Sequence, residues 1–293
     1  MKDISIEIVE RCYLNILNRK SDETGLKHFV TLLESNLLDE SGLIKELKNS
    51  YEYKFTHPTD LDPTTISTNE RMRTDWNARA INDAKFAVRS VTSQTEEEFW
   101  NSGIVSMEQC LEFNTPLNDL IMQNKDAKDM TVLEIGCGVG RIVIPMSKFF
   151  GKVVGIDVSD EMIELAKEKT SKILNCKFFS NNGSDLSSFS ENSFDFCYSI
   201  IVFQHIPEKE IIKNYIHEVY RILKNNSCFR FQVNGKNKIT DGTTWNGVSF
   251  SKNEIIEIAK ISNFKIIEMN TIIGSWEDGT IDYFNVTFQK LLN

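Results

Sequence analysis

Basic charge is in short supply along this chain: 33 Lys and Arg stand against 42 Asp and Glu, a formal net charge of −9. A protein that works on nucleic acid needs a cationic field to release counterions, so the deficit argues against a nucleic-acid partner. No run of Lys and Arg marks a local basic groove. Cysteine spacing is equally uninformative: Cys12, Cys110, Cys137, Cys176, Cys197 and Cys228 are scattered, without a Cys-x-x-Cys pair. That pattern supports neither a zinc ribbon nor a disulfide framework. Several of these residues sit in apolar stretches, as buried thiols do in a reducing compartment. No uninterrupted apolar run approaches the ~18 residues of a membrane span. The opening Met1-Lys2-Asp3-Ile4-Ser5-Ile6-Glu7 lacks the apolar core and cleavage site of a secretory leader. Internal repeats and low-complexity tracts are missing as well. The expectation is a cytoplasmic protein with no membrane span, its oligomeric state unspecified.

What is present is an ordinary globular composition, 41% hydrophobic and 26% charged over 293 residues, a length that suits about two domains. Residues 3–18 place Ile4, Ile8, Val9, Cys12, Tyr13, Ile16 and Leu17 at helical spacing. A second helix starts at Ser21 or Asp22 and presents Leu26, Phe29, Val30 and Leu33, and a third from about Ser41 turns Leu43, Ile44 and Leu47 inward. Such helices bury one another in a small bundle. Thr56 to Thr68 then reads as a linker, with Pro58 and Pro63 and few apolar residues. The expected division is a helical domain over 1–57 and a larger domain over 70–293. Helical runs near 70–90, 96–110 and 117–124 precede the first strand and are placed to form a lid.

From Thr131 onward strands and helices alternate, which is the pattern of a mostly parallel, doubly wound α/β sheet with helices on both faces. Strands are expected at 131–135, 153–157, 176–180, 194–202, 228–233, 265–269 and 281–288, seven in all. The first runs into Glu134-Ile135-Gly136-Cys137-Gly138-Val139-Gly140-Arg141. Glycines there permit positive φ and close approach of a ligand to backbone, so a nucleotide-like cofactor is expected at the strand's carboxyl end. A dinucleotide turn wants glycine where Arg141 stands, to pack helix and strand against a pyrophosphate.

The pattern Glu134-x-Gly136-x-Gly138-x-Gly140 instead resembles motif I of the class I S-adenosylmethionine-dependent methyltransferases. Asp157 at the end of the second strand, the run Val158-Ser159-Asp160-Glu161-Met162, the Asn182-Gly183 pair and the stretch Ser190 to Pro207 extend the resemblance over about 131–235. It implies a Rossmann-like seven-stranded sheet and S-adenosyl-L-methionine as cofactor. Gly136, Cys137, Gly138, Gly140 and Arg141 would then pass beneath the methionine and ribose. Glu134 would face the cationic part of the ligand, and Asp157 would accept from the ribose hydroxyls. Val158 and Met162 would pack on the adenosine, Asn182 and Gly183 would read the adenine edge, and Ile200 would give a backbone contact. Arg79, with Trp76 beside it, would pair the methionine carboxylate.

A hydroxyl acceptor needs a base, and His205, just past the fourth strand, is the candidate, with orientation of its loop as the structural alternative. Some related quinone methyltransferases place glutamates before this His to hold a metal, but here Ile201, Val202 and Gln204 occupy the nearby positions, so no metal site is expected. Gln204, Asn234 and Trp245 are the candidate acceptor-binding residues. Tyr13 to Asn36 and Leu43 to Phe55 resemble the DUF4214-type helical domain, with Phe29 where Trp is usual. That domain often accompanies enzymes of surface-glycan synthesis, so the resemblance implies a sugar or glycan hydroxyl as methyl acceptor. Another small metabolite, methylated on O or N, and a cofactor-binding scaffold without turnover are the alternatives.

Overall fold

The structure, a computed structural model, describes residues 2–17, 19–50, 52–53, 66–91, 93–123, 125–235, 242–276 and 279–292. His57 and most of the linker lie outside the described residues. The chain divides into two units, Met1–Asp60 with Ser275–Thr280, and Leu61–Gly274 with Ile281–Asn293.

In the first unit, helices α1 (Lys2–Leu17), α2 (Glu23–Glu34) and α3 (Glu40–Asn49) follow the apolar spacing. Asp22 and Asp39 cap α2 and α3, each carboxylate accepting from the N–H two residues into the helix, at Gly25 and Gly42. Val9, Cys12, Tyr13, Val30, Leu43 and Leu47 form the bundle's core. Arg19 clamps Glu52 through two hydrogen bonds of 2.6 and 2.7 Å.

The second unit opens with α4 (Thr68–Arg89), α5 (Glu96–Leu111) and α6 (Pro116–Met122). Helix α4 is kinked at Asp83, whose backbone leaves the helical region and whose carboxylate accepts from the Phe86 N–H at 3.0 Å. Strands β1 (Thr131–Ile135), β2 (Lys152–Asp157), β3 (Cys176–Ser180), β4 (Phe194–Ser199), β5 (Leu223–Asn234), β6 (Phe264–Trp276) and β7 (Gly279–Lys290) form one sheet. Its order is β3-β2-β1-β4-β5-β7-β6, with β1 to β5 parallel and β7 antiparallel to β5. Helices α7 (Val143–Phe149), α8 (Asp160–Lys169), α9 (Lys209–Ile222) and α10 (Lys252–Ile261) complete the layers. Alternation along β1 sends Leu133 and Ile135 into one core and Val132 into the other, as a sheet covered on both faces requires.

Strand order reverses between β1 and β4, and a crevice opens there at the strands' carboxyl ends. Strand β4 stops at Ser199, short of the expected Val202, because Ile201 takes φ +61° and turns the chain out of the sheet. Strand β5 starts at Leu223, earlier than its apolar run predicts, through pairing of Leu223 with Phe194 before an irregularity in the ladder.

Candidate functional site

The glycine turn is pinned before any ligand is considered. The Gly136 and Cys137 N–H groups both donate to the Ile156 carbonyl, at 2.8 and 2.9 Å. Gly136 has φ +75°, and a Cβ built there would lie 2.3 Å from Val202 Cγ1, so only glycine fits. The Gly138 N–H donates to Asp157 Oδ2 at 2.8 Å, while the Ser159 N–H donates to Asp157 Oδ1 at 2.9 Å. One carboxylate thereby fixes the turn and the start of α8. Gly140 stands away from the cavity wall and leaves room for the Phe178 ring, 3.2 Å from where its Cβ would be.

Above the turn lies a cavity, open to solvent at its mouth. Its floor is Glu134, Gly136, Cys137, Gly138 and Arg141; Asp157, Val158 and Met162 form one side, with Asn181 and Gly183 beyond them. Ile200, Ile201, Val202 and His205 form the opposite side, and α4 closes it with Met72, Trp76, Ala87 and Val88. Glu134 is 2% exposed, and Tyr198 OH donates to its Oε2 at 3.0 Å. Burial pushes its carboxyl up to about 8, against the opposing pull of the Tyr198 hydroxyl and the Arg141 charge. Burial also raises Asp157, while the amides of Ser159, Gly138 and Val158 favour its charged form. Arg141 donates through Nη1 to the Ser102 carbonyl and hydroxyl and to Ser106 Oγ, and its buried Nε has no partner.

Several expected roles change once the chain is folded. Asn182 is exposed and turned away: its Oδ1 accepts from the Ser184 and Asp185 N–H groups and its amide donates to Asp185. Asn181 takes the place in the wall, its Oδ1 accepting from the Gly183 N–H at 3.2 Å and its amide donating to Tyr215 OH at 2.7 Å. Arg79 does not line the cavity. It is 1% exposed, between the rings of Trp76 and Trp245, and donates to the Thr244 carbonyl and hydroxyl. Thr244 in turn donates to Asp75, so this cluster clasps the 242–250 loop to α4.

Asn234 is also engaged within the fold, donating to the carbonyls of Gln204, Asn246 and Val248. Trp245 stacks on Phe86 and gives its carbonyl to His205. Neither Asn234, Trp245 nor Gln204 lines the cavity. The His205 ring does, but both of its nitrogens are occupied. Nδ1 faces the Trp245 carbonyl and so carries the proton, while Nε2 accepts from the Gln204 amide at 3.3 Å. Burial, aided by the Arg79 charge, pushes this imidazole down to about 4 despite the carbonyl. Among the described residues no cluster of three or more His, Cys, Asp or Glu is placed to hold a metal ion, and no helix is long and apolar enough to cross a membrane.

Asn181, Tyr215 and Ile201 were not legible as wall residues in the sequence. Asn181 is the first residue past β3, the one signal that was present. Tyr215 arrives from α9, and Ile201 owes its position to an uncommon backbone state.

Residues 132–226 match the family model described as a methyltransferase domain. A demethylmenaquinone methyltransferase of Staphylococcus aureus (strain MRSA252) is 34% identical over 100 residues, 33% of this chain and 40% of that protein. The chain thus spans less than half the length of that curated relative. Geranyl diphosphate C-methyltransferase from Streptomyces coelicolor A3(2), solved with S-adenosyl-L-homocysteine, superposes with a TM-score of 0.58 at 12% identity, covering 78% of this chain and 100% of that one. Magnesium protoporphyrin IX methyltransferase from Synechocystis PCC 6803, solved with bound S-adenosylmethionine, gives 0.52 at 17% identity over 78% of this chain and 100% of that one. Likeness at that identity shows the fold, and the same fold also serves a [4+2]-cyclase, SpnF, at a TM-score of 0.56 and 11% identity over 78% of this chain and 98% of that one. Residues 132–226 thus match a methyltransferase-domain model and carry a glycine turn at the switch point of a Rossmann-like sheet.

Proposed function

We propose that the chain transfers a methyl group from S-adenosylmethionine to a small, largely apolar metabolite. The observation that carries this reading is one cavity with two carboxylates, Glu134 buried and Asp157 half-buried, beneath a largely apolar wall. The residues fit the cofactor by their chemistry. Asp157 keeps acceptor lone pairs beyond the two amides it holds, which suits a ribose diol. Ile142, Val158 and Met162 offer an apolar surface for a base, and Glu134 places a carboxylate where a sulfonium and an ammonium group need one. When bound, the cofactor supplies an electrophilic methyl group, and positioning of the acceptor supplies much of the rate.

The acceptor brings its own nucleophile in this reading. Among the described lining residues, burial pushes the Tyr215 hydroxyl and the Cys137 thiol up, away from service as bases. In this reading Asp157 and Glu134 are committed to the cofactor's ribose and cationic groups, and both His205 nitrogens are taken. An acidic phenol or enol, or an electron-rich ring carbon, needs no protein base; a neutral sugar hydroxyl does. Asn234 and Trp245, the candidate acceptor-binding residues, are packed into the fold and off the cavity wall, which lends no support to a sugar. The name of the Staphylococcus aureus relative likewise favours a quinone-type acceptor over a glycan. For the α1–α3 bundle the DUF4214-type resemblance stands as a proposal about partners, separate from the chemistry, since the cavity wall comes from the second unit.

Calorimetry with S-adenosylmethionine and S-adenosylhomocysteine, followed by labelled-methyl transfer to reduced naphthoquinones and to nucleotide sugars, tests the reading. Cofactor binding with label on the naphthoquinol is expected. No cofactor binding would overturn the whole reading, and label on the sugars alone would return the acceptor to a glycan precursor.

A further inference from the structure

Ile201 is out of character for its backbone. Every other described non-glycine residue with positive φ is Asn, Ser, Glu or Gln, whereas Ile201 is β-branched at φ +61°. Steric crowding makes that region costlier for a β-branched residue than for nearly any other kind. Such a conformation persists only where its surroundings hold it, and it gathers at functional sites. The holding group is visible: Gln232 reaches across from β5, and its Oε1 accepts from the Ile201 N–H at 3.2 Å. The side chain so presented is not buried. It remains 37% exposed and lines the cavity between Ile200 and Val202, next to His205.

The turn has one plain structural task, to steer Val202 beneath Gly136. That task needs the backbone state and not an isoleucine; glycine would do it without strain. What glycine lacks is the apolar surface at the cavity.

We infer that Ile201 is a specificity-determining residue that presents an apolar face to the acceptor's ring, held in place by Gln232. The inference rests on the functional reading above, since it takes the acceptor to be a flat, apolar ring. It predicts that the side chain matters to the acceptor and not to the cofactor, whose expected contacts lie at the glycine turn and Asp157.

The discriminating variant is Ile201→Gly, which keeps the turn and removes the side chain. Its Tm is expected to equal or exceed that of the wild type, because the strain is gone. Affinity for S-adenosylhomocysteine should stay within about twofold. Affinity for the probe 2-methyl-1,4-naphthoquinone, read by quenching of tryptophan fluorescence with S-adenosylhomocysteine present, should fall about tenfold or more, the scale of losing one apolar side-chain contact. Ile201→Val should bind the probe within about threefold of the wild type. An Ile201→Gly variant that binds the probe as the wild type does, or a wild type that does not bind it, overturns the inference. A wild type that binds the probe but transfers no methyl group to its reduced form fails the functional reading while the binding role of Ile201 stands.

Discussion

Cofactor affinity should depend on pH through Glu134, and the direction follows from burial. The carboxyl lies at the end of β1, 2% exposed, with its pKa pushed up to about 8. Below pH 8 it is mostly neutral in the cofactor-free protein. A sulfonium and an ammonium group favour the ionised form, so binding must expel the proton. With a pKa of about 8, roughly one molecule in ten is ionised at pH 7 and one in a hundred at pH 6. The association constant should therefore fall about tenfold for each pH unit below 8. Calorimetry in buffers of different ionisation heat should register release of about 0.9 proton per cofactor at pH 7. The cofactor's own amine titrates near 8 as well, so Glu134→Gln is the control. It keeps an acceptor for Tyr198 OH and shares the amine's behaviour, but it has no carboxyl to titrate. The ratio of wild-type to Glu134→Gln affinities isolates the carboxyl. A ratio that stays level from pH 6 to 8.5, or binding without proton release at pH 7, refutes the reasoning.

Three further outcomes follow from the same geometry. Gly136→Ala puts a Cβ 2.3 Å from Val202 at φ +75°, so thermal unfolding should show a loss of about 2–3 kcal/mol, and adding Val202→Ala should recover part of it. His205→Phe keeps the bulk without the ring nitrogens and should lower kcat by less than about tenfold, since both nitrogens are already engaged by the Trp245 carbonyl and the Gln204 amide. The wild-type imidazole titrates at about 4 in the fold and near 6.5 when unfolded. Urea unfolding should then show stability lost as pH falls through this window, on the order of 2 kcal/mol by pH 4.5, and the Phe variant should lack that loss. Arg79→Ala should cost about 3–5 kcal/mol, because it strips the partner charge from buried Asp75 and empties the space between Trp76 and Trp245; a red shift in tryptophan emission would report the opened clasp.

The parts of this fold that were legible in the sequence are those fixed by local physics. Apolar stretches such as Val132–Ile135, broken only by Glu134, and Val153–Ile156 announce strands buried on both faces, and each runs directly into its glycine or acid. The glycines at 136 and 138 announce the cofactor turn because both take positive φ, and at Gly136 a Cβ would also strike Val202. Legibility ended where a neighbour distant in sequence decides. In Asn181-Asn182-Gly183 either amide could face inward by spacing alone, and the choice is made by Tyr215, 34 positions away. Arg79, Asn234 and Trp245 carry the chemistry of ligand binders, but Arg79 and Asn234 hold the 242–250 loop and Trp245, within that loop, stacks on Phe86. Strand β4 carries an apolar pattern through Val202, but the amide of Gln232 supports a turn two residues after Ser199.

Charge narrows the acceptor in a way that the apolar wall alone does not. The described lining residues include two carboxylates, Glu134 and Asp157, against one cation, Arg141, whose Nη1 serves the hydroxyls of Ser102 and Ser106. With Glu134 mostly neutral below pH 8, a doubly charged phosphate group entering this cavity would find Asp157 beside it and, for a partner, Arg141 alone, whose Nη1 is already engaged. The net charge of −9 adds a repulsive field outside. Nucleotide sugars and diphosphate-bearing substrates are therefore poor occupants, whatever their ring. A cationic cofactor is drawn by the same field, and on binding it favours the ionised form of Glu134 and offsets that charge. The acceptor then meets a nearly neutral, apolar wall of Ile200, Ile201, Val202 and Trp76.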